Sequence, residues 1–273
     1  MKIGIDIGGT TIGAGLADGG KLIRRTNGPS FPAGANLQDT LTQLYGRISE
    51  LITPEVSGIG VGVPSVVDPE KGIVYDTQNI PSWKEVHLKE WLEDKFGLPT
   101  VVDNDANCYA MGSAARLSLD KGILACITLG TGVGCGIVSD SSLFRGRCCG
   151  AGELCCLPYM DGVIEDYTSS KFFSAMGTTA KDLSELASEG DTEAIEAFGR
   201  FGKHLAWLTC AVLYSYDPHV IVFGGGIAKA FPFFEKALRD EIELSFAYPK
   251  NLAELKICAI TDADTALLGA ASL

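Results

Sequence analysis

DIGGTTIGAGLAD, residues 6–18, places an acid, two glycines and two threonines between two short apolar runs. Before it, MKIGI alternates into a strand; after the turn, IGAGLAD alternates out as a second strand. The stretch therefore reads as a hairpin whose tip offers bare backbone amides, hydroxyls and one carboxylate. ILACITLGTGVGCGIVSD, residues 123–140, repeats this order of strand, glycine turn and strand. At an offset of 121 residues Gly9-Thr10 falls on Gly130-Thr131, Gly13 on Gly134, Gly15 on Gly136 and Leu16 on Ile137. Two domains, each led by a glycine hairpin, are expected from such an internal duplication.

Between and after the hairpins, strands and helices alternate, which favours an α/β fold. Leu37, Leu41, Leu44, Ile48 and Leu51 recur at spacings of three and four and predict an amphipathic helix over 37–52. VSGIGVGVPSVVD is a buried strand ending at Pro64, and SWKEVHLKEWLEDKFG a helix closed by Gly97. LPTVVDNDANCYAMGSAA runs from strand to helix. Residues 192–216 carry a helical apolar face through Ile195, Phe198, Phe201, Leu205, Leu208 and Val212, and HVIVFGGGIA is a strand ending in three glycines.

Composition narrows the function. The 273 residues carry a net charge of −12, which argues against a nucleic-acid face, because phosphate backbones are met by clustered Lys and Arg. No apolar run approaches the roughly 20 residues of a membrane span, and Asp6 interrupts the N-terminus before a signal-peptide core can form. Nine cysteines without an export signal suit reduced thiols and a cytoplasmic protein.

A glycine turn can serve structure alone, since glycine reaches positive φ without strain. Two such turns, with Thr10 and Thr131 at their tips, can instead cradle polyphosphate oxygens on successive amides. Two other nucleotide motifs are excluded. GLADGGKL (15–22) has Leu22 where a P-loop needs Ser or Thr for Mg²⁺, and GTGVGCG (130–136) has the wrong third gap for a dinucleotide fingerprint. In VVDNDANCYA, Asn104 or Asp105 can cap the helix beginning near Ala106. Asp105, at a strand end before a helix, is also placed to be a general base.

Taken together, DIGGTTIGAGLAD, GIGVGVPSVVDPEKGIV, QNIPSW, DNDAN, LGTGVGCGIV, GAGEL, VIEDY, VIVFGGGIA and the terminal ALLGAA resemble a glucokinase-like sugar kinase of the ROK family, over nearly the whole chain. The resemblance implies the two-domain actin-like ATPase (ribonuclease H-like) fold of the actin/hexokinase/Hsp70 superfamily, with an ATP cleft between duplicated hairpin-led domains. Residues 1–104 plus about 260–273 would form the smaller domain and 105–259 the larger. It implies that Asp6 helps hold Mg²⁺ through water, and that Gly8, Gly9, Thr10, Thr11, Gly130, Thr131 and Gly132 hold the phosphates of ATP. Gly224, Gly225 and Gly226 would pass close to the adenosine. Asn79, Asn104, Asp105, Glu153, Cys156 and Glu165 would meet sugar hydroxyls, with Asp105 as the base. The implied reaction is transfer of the γ-phosphate to the 6-hydroxyl of a hexose, glucose ahead of N-acetylglucosamine or N-acetylmannosamine. A homodimer is implied as well. The rival is a sugar sensor that keeps the fold without turnover.

Departures from the family pattern are specific. Thr11 stands where the family has Lys, and Cys156 where GEIGH has its histidine. The zinc loop that follows that motif is missing, because Glu165 comes only twelve residues after Glu153. Cys148, Cys149, Cys155 and Cys156 are a tempting replacement. Structural zinc sites favour C-x₂₋₄-C spacing, however, and adjacent cysteines on a strand point to opposite faces. No structural zinc is therefore expected.

Overall fold

The leading hairpin forms around its glycines. Core strands β1 (Lys2–Ile7) and β2 (Thr11–Asp18) pair antiparallel from Lys2↔Ala17 to Ile7↔Ile12, and the Gly8 N–H closes the turn on the Thr11 carbonyl at 2.8 Å. The computed structural model describes every residue except Thr10, Ala33 and Cys148. Thr10, expected at the phosphate turn, and Cys148, expected not to hold zinc, lie outside the described residues. The chain divides into two compact units: Met1–Asp120 with Ser141–Ala151 and Asp262–Leu273, and Lys121–Asp140 with Gly152–Thr261.

In the first unit, β3 (Lys21–Pro29), β4 (Ile59–Val63) and β5 (Thr100–Asn104) complete a sheet in the order β3-β2-β1-β4-β5. β1, β4 and β5 run parallel, which aligns Asp6 with Gly62 and Gly62 with Asp103. All five residues of β4 are buried, as a strand covered on both faces requires. The ALLGAA segment forms the helix Thr265–Ser272, laid directly on the sheet. A Cβ at Gly60 would stand 1.8 Å from the Ala270 carbonyl oxygen, so only glycine allows this approach. The helix over Leu37–Ser49 packs Leu41, Leu44 and Ile48 inward, with Asn36 as its N-cap.

One expected helix is shorter than its pattern. In SWKEVHLKEWLEDKFG the residues Glu85–His87 form a strand of a small antiparallel sheet with Val66–Asp68 and Ile73–Tyr75. Buried Val86 pairs with Val74, and the helix begins only at Leu88. Gly97 does close it, in the left-handed conformation at φ 64°.

In the second unit, β6 (Ile123–Leu129) and β7 (Val133–Ser139) form the second glycine hairpin. With β8 (Val220–Gly224) and β9 (Lys256–Ala259) they run in the order β7-β6-β8-β9, matching β2-β1-β4-β5. β8 is parallel to both neighbours, as β4 is. The copies differ by one residue in register: Gly13 pairs with Asp6, but Gly134 pairs with Thr128 rather than Ile127. The second turn is thus one residue tighter. The helix Thr192–Tyr216 buries Phe198, Phe201, Leu205, Leu208 and Val212 against Phe173, Phe223 and Phe234. Ile195, expected on that face, is exposed. Near the N-terminus the face has turned outward, where Ala194 and Ala197 fill the core side instead. Among the described residues, no helix is long and apolar enough to cross a membrane.

Candidate active site

Asp6 is next to last in the first strand, and burial lifts its carboxyl to about 6 although it keeps some solvent access. Among the described residues no side chain or amide hydrogen-bonds it. A carboxylate desolvated without a partner is what a hard cation compensates, so the donor set at this turn fits Mg²⁺. The sign of the linkage follows. Because folding raises this pKa from 3.8, the ligand-free protein should lose stability as pH rises from about 4 to 6, and stay at the lower level above. Asp6→Asn should remove that slope and gain on the order of 1–3 kcal/mol at pH 7.5 without Mg²⁺. Denaturant melts of both proteins at pH 5 and 7.5 check this, and an unchanged slope would contradict it.

Around the first turn, Ser30 Oγ donates to the Gly8 carbonyl at 2.7 Å, and Thr11 is exposed at the start of β2. Asn79 reaches the turn from a loop that is anchored by the Trp83 N–H to Ile80. A Cβ on Gly9 would lie 3.2 Å from the Asn79 amide nitrogen, so glycine leaves room for that side chain. The structure therefore places the sugar candidate Asn79 beside the phosphate candidates Gly8 and Gly9.

The end of β5 carries the next group. Asn104, not Asp105, is the N-cap: its side chain accepts from the Ala106 and Asn107 amides, and the helix begins at Asp105. Asp105 Oδ1 accepts from the Ala106 amide at 2.8 Å, and a helix N-terminus favours a carboxylate there. Gly62 stands between the two acids. It aligns with Asp6, and its Cβ would lie 3.3 Å from the Asp105 Cα. Asp6, Asp103 and Asp105 all act on the Cys108 thiol, which burial first and these charges second push far up.

Asp103 is the first acid of DNDAN and carries no expected role of its own. It is fully buried and accepts from the Asn107 amide at 2.8 Å, from the Asn104 backbone amide and from Arg145 Nε. The Cys149 thiol lies 3.8 Å from Oδ1. No sequence motif joins Asp103 to Arg145, which lies 42 residues further along the chain. Asp103 thus ties Arg145 and Cys149 to the turn that presents Asn104 and Asp105.

In the second unit Gly130, Thr131 and Gly132 form the turn between β6 and β7, and two flanking residues brace it. Glu165 accepts from the Val133 amide at 3.0 Å, while Ser170 donates its amide to the Gly130 carbonyl and its hydroxyl to Thr131. A Cβ on Gly132 would meet Glu165 Oε2 at 2.7 Å. Lys171, a residue sequence reasoning missed, pairs with Glu165 at 2.9 Å and Asp166 at 2.8 Å. The run Gly224–Gly226 meets the end of β6, just before this turn. Gly225, at φ 84°, backs onto the Leu129 carbonyl, where a Cβ would stand at 2.4 Å.

Glu153 and Cys156 share a single 3₁₀ turn, Glu153–Cys156, launched from Gly152 at φ 97°. Burial lifts the Glu153 carboxyl, the Cys156 thiol opposes this by hydrogen bonding, and the Glu165 charge adds to it. The expectation that adjacent cysteines point apart fails here. Cys155 and Cys156 bring their sulfurs to 4.0 Å, because the pair lies on a tight turn rather than a strand. With Glu153 they place three ligand atoms within 4.8 Å of one another. Cys149 lies in the other unit, against Asp103.

The sequence profile of the ROK family matches residues 2–273. The chain belongs to the ROK family. It is 27% identical to a glucokinase of Thermotoga maritima over 99% of this chain and 96% of that one. It is 32% identical to an N-acetyl-D-glucosamine kinase of Photobacterium profundum, over 84% and 85% of the two chains. Among solved structures, the ROK glucokinase of Streptomyces griseus with glucose and AMPPNP superposes at a TM-score of 0.85, with 25% identity and 99% and 98% coverage. The repeated sheets thus belong to the two-domain actin-like ATPase fold of ROK sugar kinases.

Proposed function

We propose that this ROK chain is an ATP-dependent sugar kinase that phosphorylates the 6-hydroxyl of a hexose, with glucose as the preferred substrate. The observation that supports this most is at the carboxyl edge of the parallel strands: Asp6 is next to last in β1, Asp105 follows β5, and side-chain-free Gly62 lies between them. Such an edge offers a cation ligand and a proton acceptor on one rigid element, as phosphoryl transfer by positioning and charge neutralisation requires.

Asp105 takes the proton of the attacking hydroxyl. Asn104 and Asn79 accept and donate hydrogen bonds to neighbouring hydroxyls, and the amides of Gly8 and Gly9 hold phosphate oxygens. In the second unit Gly130, Thr131 and Gly132 hold phosphate oxygens, and Gly224 to Gly226 leave a flat face for the nucleoside. Glu153, Cys156 and Glu165 receive sugar hydroxyls there. Asp6 would hold Mg²⁺ through water; the ion, when bound, neutralises charge on the phosphates.

The N-acetylhexosamine reading is supported by the relative from Photobacterium profundum, and a substrate panel separates the two. Initial rates with MgATP and glucose, mannose, N-acetylglucosamine or N-acetylmannosamine should give glucose the highest kcat/KM. A higher value for an N-acetylhexosamine would overturn the glucose assignment. Glu153→Gln should weaken glucose binding by about tenfold or more, the scale of a charged hydrogen bond, and leave ATP binding in place. Calorimetry of each ligand checks this; equal loss of both would contradict the assigned role.

A further inference from the structure

We infer that Glu153, Cys155 and Cys156 form a reversible binding site for a thiophilic divalent cation, Zn²⁺, and that an ion there excludes the sugar. The second clause rests on the reading of Glu153 as a sugar-holding carboxylate.

The geometry is close to a coordination shell without any ion. Zinc bonds of about 2.3 Å to sulfur and 2.0–2.2 Å to oxygen, at tetrahedral angles, put neighbouring ligands roughly 3.6–3.8 Å apart. The two sulfurs stand at 4.0 Å, Cys156 Sγ and Glu153 Oε2 at 3.8 Å, and all three ligand atoms within 4.8 Å. The turn creates this arrangement. In a 3₁₀ helix residues i and i+3 eclipse, which stacks Cys156 over Glu153. The backbone beneath is held: the Gly152 amide donates to Tyr216 Oη at 2.9 Å, and Gly152 packs so tightly on the Cys135 carbonyl that a Cβ would lie at 1.9 Å.

Softness and charge point the same way. Two thiolates and a carboxylate select zinc over Mg²⁺, which prefers oxygen. Among the described residues Glu153 has no basic partner, and Lys171 is held by Glu165 and Asp166. Cys156 is exposed and gives the ion its entry, while buried Cys155 supplies the deeper ligand. Binding forms two Zn–S bonds and one Zn–O bond. It releases two thiol protons to solvent, one of them now donated by Cys155 to the Val133 carbonyl at 3.0 Å, with no change of oxidation state. A fourth position stays open. Three ligands on one four-residue turn close no chain loop, so the site does not hold the fold together. An ion on the Glu153 carboxylate occupies the oxygens that hydroxyls need.

Calorimetric titration of the full chain with ZnCl₂ should show one equivalent bound. Partners that only orient metal ligands already contribute roughly 10–100-fold, so Cys156→Ser and Glu153→Gln should each weaken binding by about 100-fold. Co²⁺ in place of Zn²⁺ should show a thiolate charge-transfer band that Cys156→Ser abolishes. Chelation should strip the ion and leave the thermal midpoint unchanged. No binding, binding unaltered in both variants, or a Co²⁺ spectrum without the thiolate band would overturn the site. A midpoint that collapses on chelation would overturn its reversible character. Glucose binding should be lost in the Zn²⁺-loaded protein while ATP binding persists. If zinc binds as described and glucose still binds equally well, the cation site stands and the sugar-holding role of Glu153 falls.

Discussion

Asp105→Asn should lower kcat on the order of 10²–10⁴-fold, the usual scale for loss of a general base. The amide keeps the size of the carboxylate and can still accept from the Ala106 amide, so the start of the helix Asp105–Leu117 should survive. The Asn104 cap supports that helix independently. Stability and ATP affinity should therefore change little while turnover collapses. Rapid-quench measurement of the phosphoryl-transfer step separates chemistry from product release; a near-normal step would reduce Asp105 to a helix residue.

The second large effect lies behind the site. Arg145→Ala should destabilise the protein by about 3 kcal/mol, the lower end of what breaking a buried ion pair costs. Asp103 is fully buried and would lose the cation paired with it, whereas Arg145 itself is partly exposed. The asymmetry gives a sharper check. Asp103→Asn combined with Arg145→Ala removes both charges and should be more stable than Arg145→Ala alone. Urea midpoints of the two variants measure this, and a double variant less stable than the single would contradict the account. Because Asp103 immediately precedes Asn104 and Asp105, the single variant should also lower kcat.

These two effects divide by how visible their residues were. Asp105 was legible because a strand, an Asx-rich turn and a helix follow one another within a few residues. The hairpins were legible for a similar reason: alternation and glycine spacing are local, and their repetition at one offset carried the two-sheet architecture. The order β2-β1-β4-β5 returning as β7-β6-β8-β9 is what that repetition builds. The Asp103–Arg145 pair was not legible, because its members lie 42 residues apart and no periodic pattern joins them. Lys171 was missed for the same kind of reason. Its two acids sit five and six residues away, a spacing that only the break between the helices Ile164–Thr168 and Ser170–Ala175 brings into contact.

Misreadings also had local causes. KEVHLKEW reads as part of one helix, yet Val86 belongs to a strand and pairs with Val74. Vicinal cysteines face opposite ways on a strand. A 3₁₀ turn of four residues has almost no sequence signature, and it sets Cys155 and Cys156 side by side.

The central claim is that the carboxylates and glycine turns move phosphate from ATP to a hexose. Phosphorus NMR of the purified chain with MgATP and glucose observes that transfer directly. The account predicts ADP and a phosphomonoester in equal amounts, the latter coupled to the two protons on C6, and neither signal growing with Asp105→Asn. Glucose that binds while no phosphomonoester forms, or ATP that yields only inorganic phosphate, would contradict it and leave a sensor of sugar in place of a kinase.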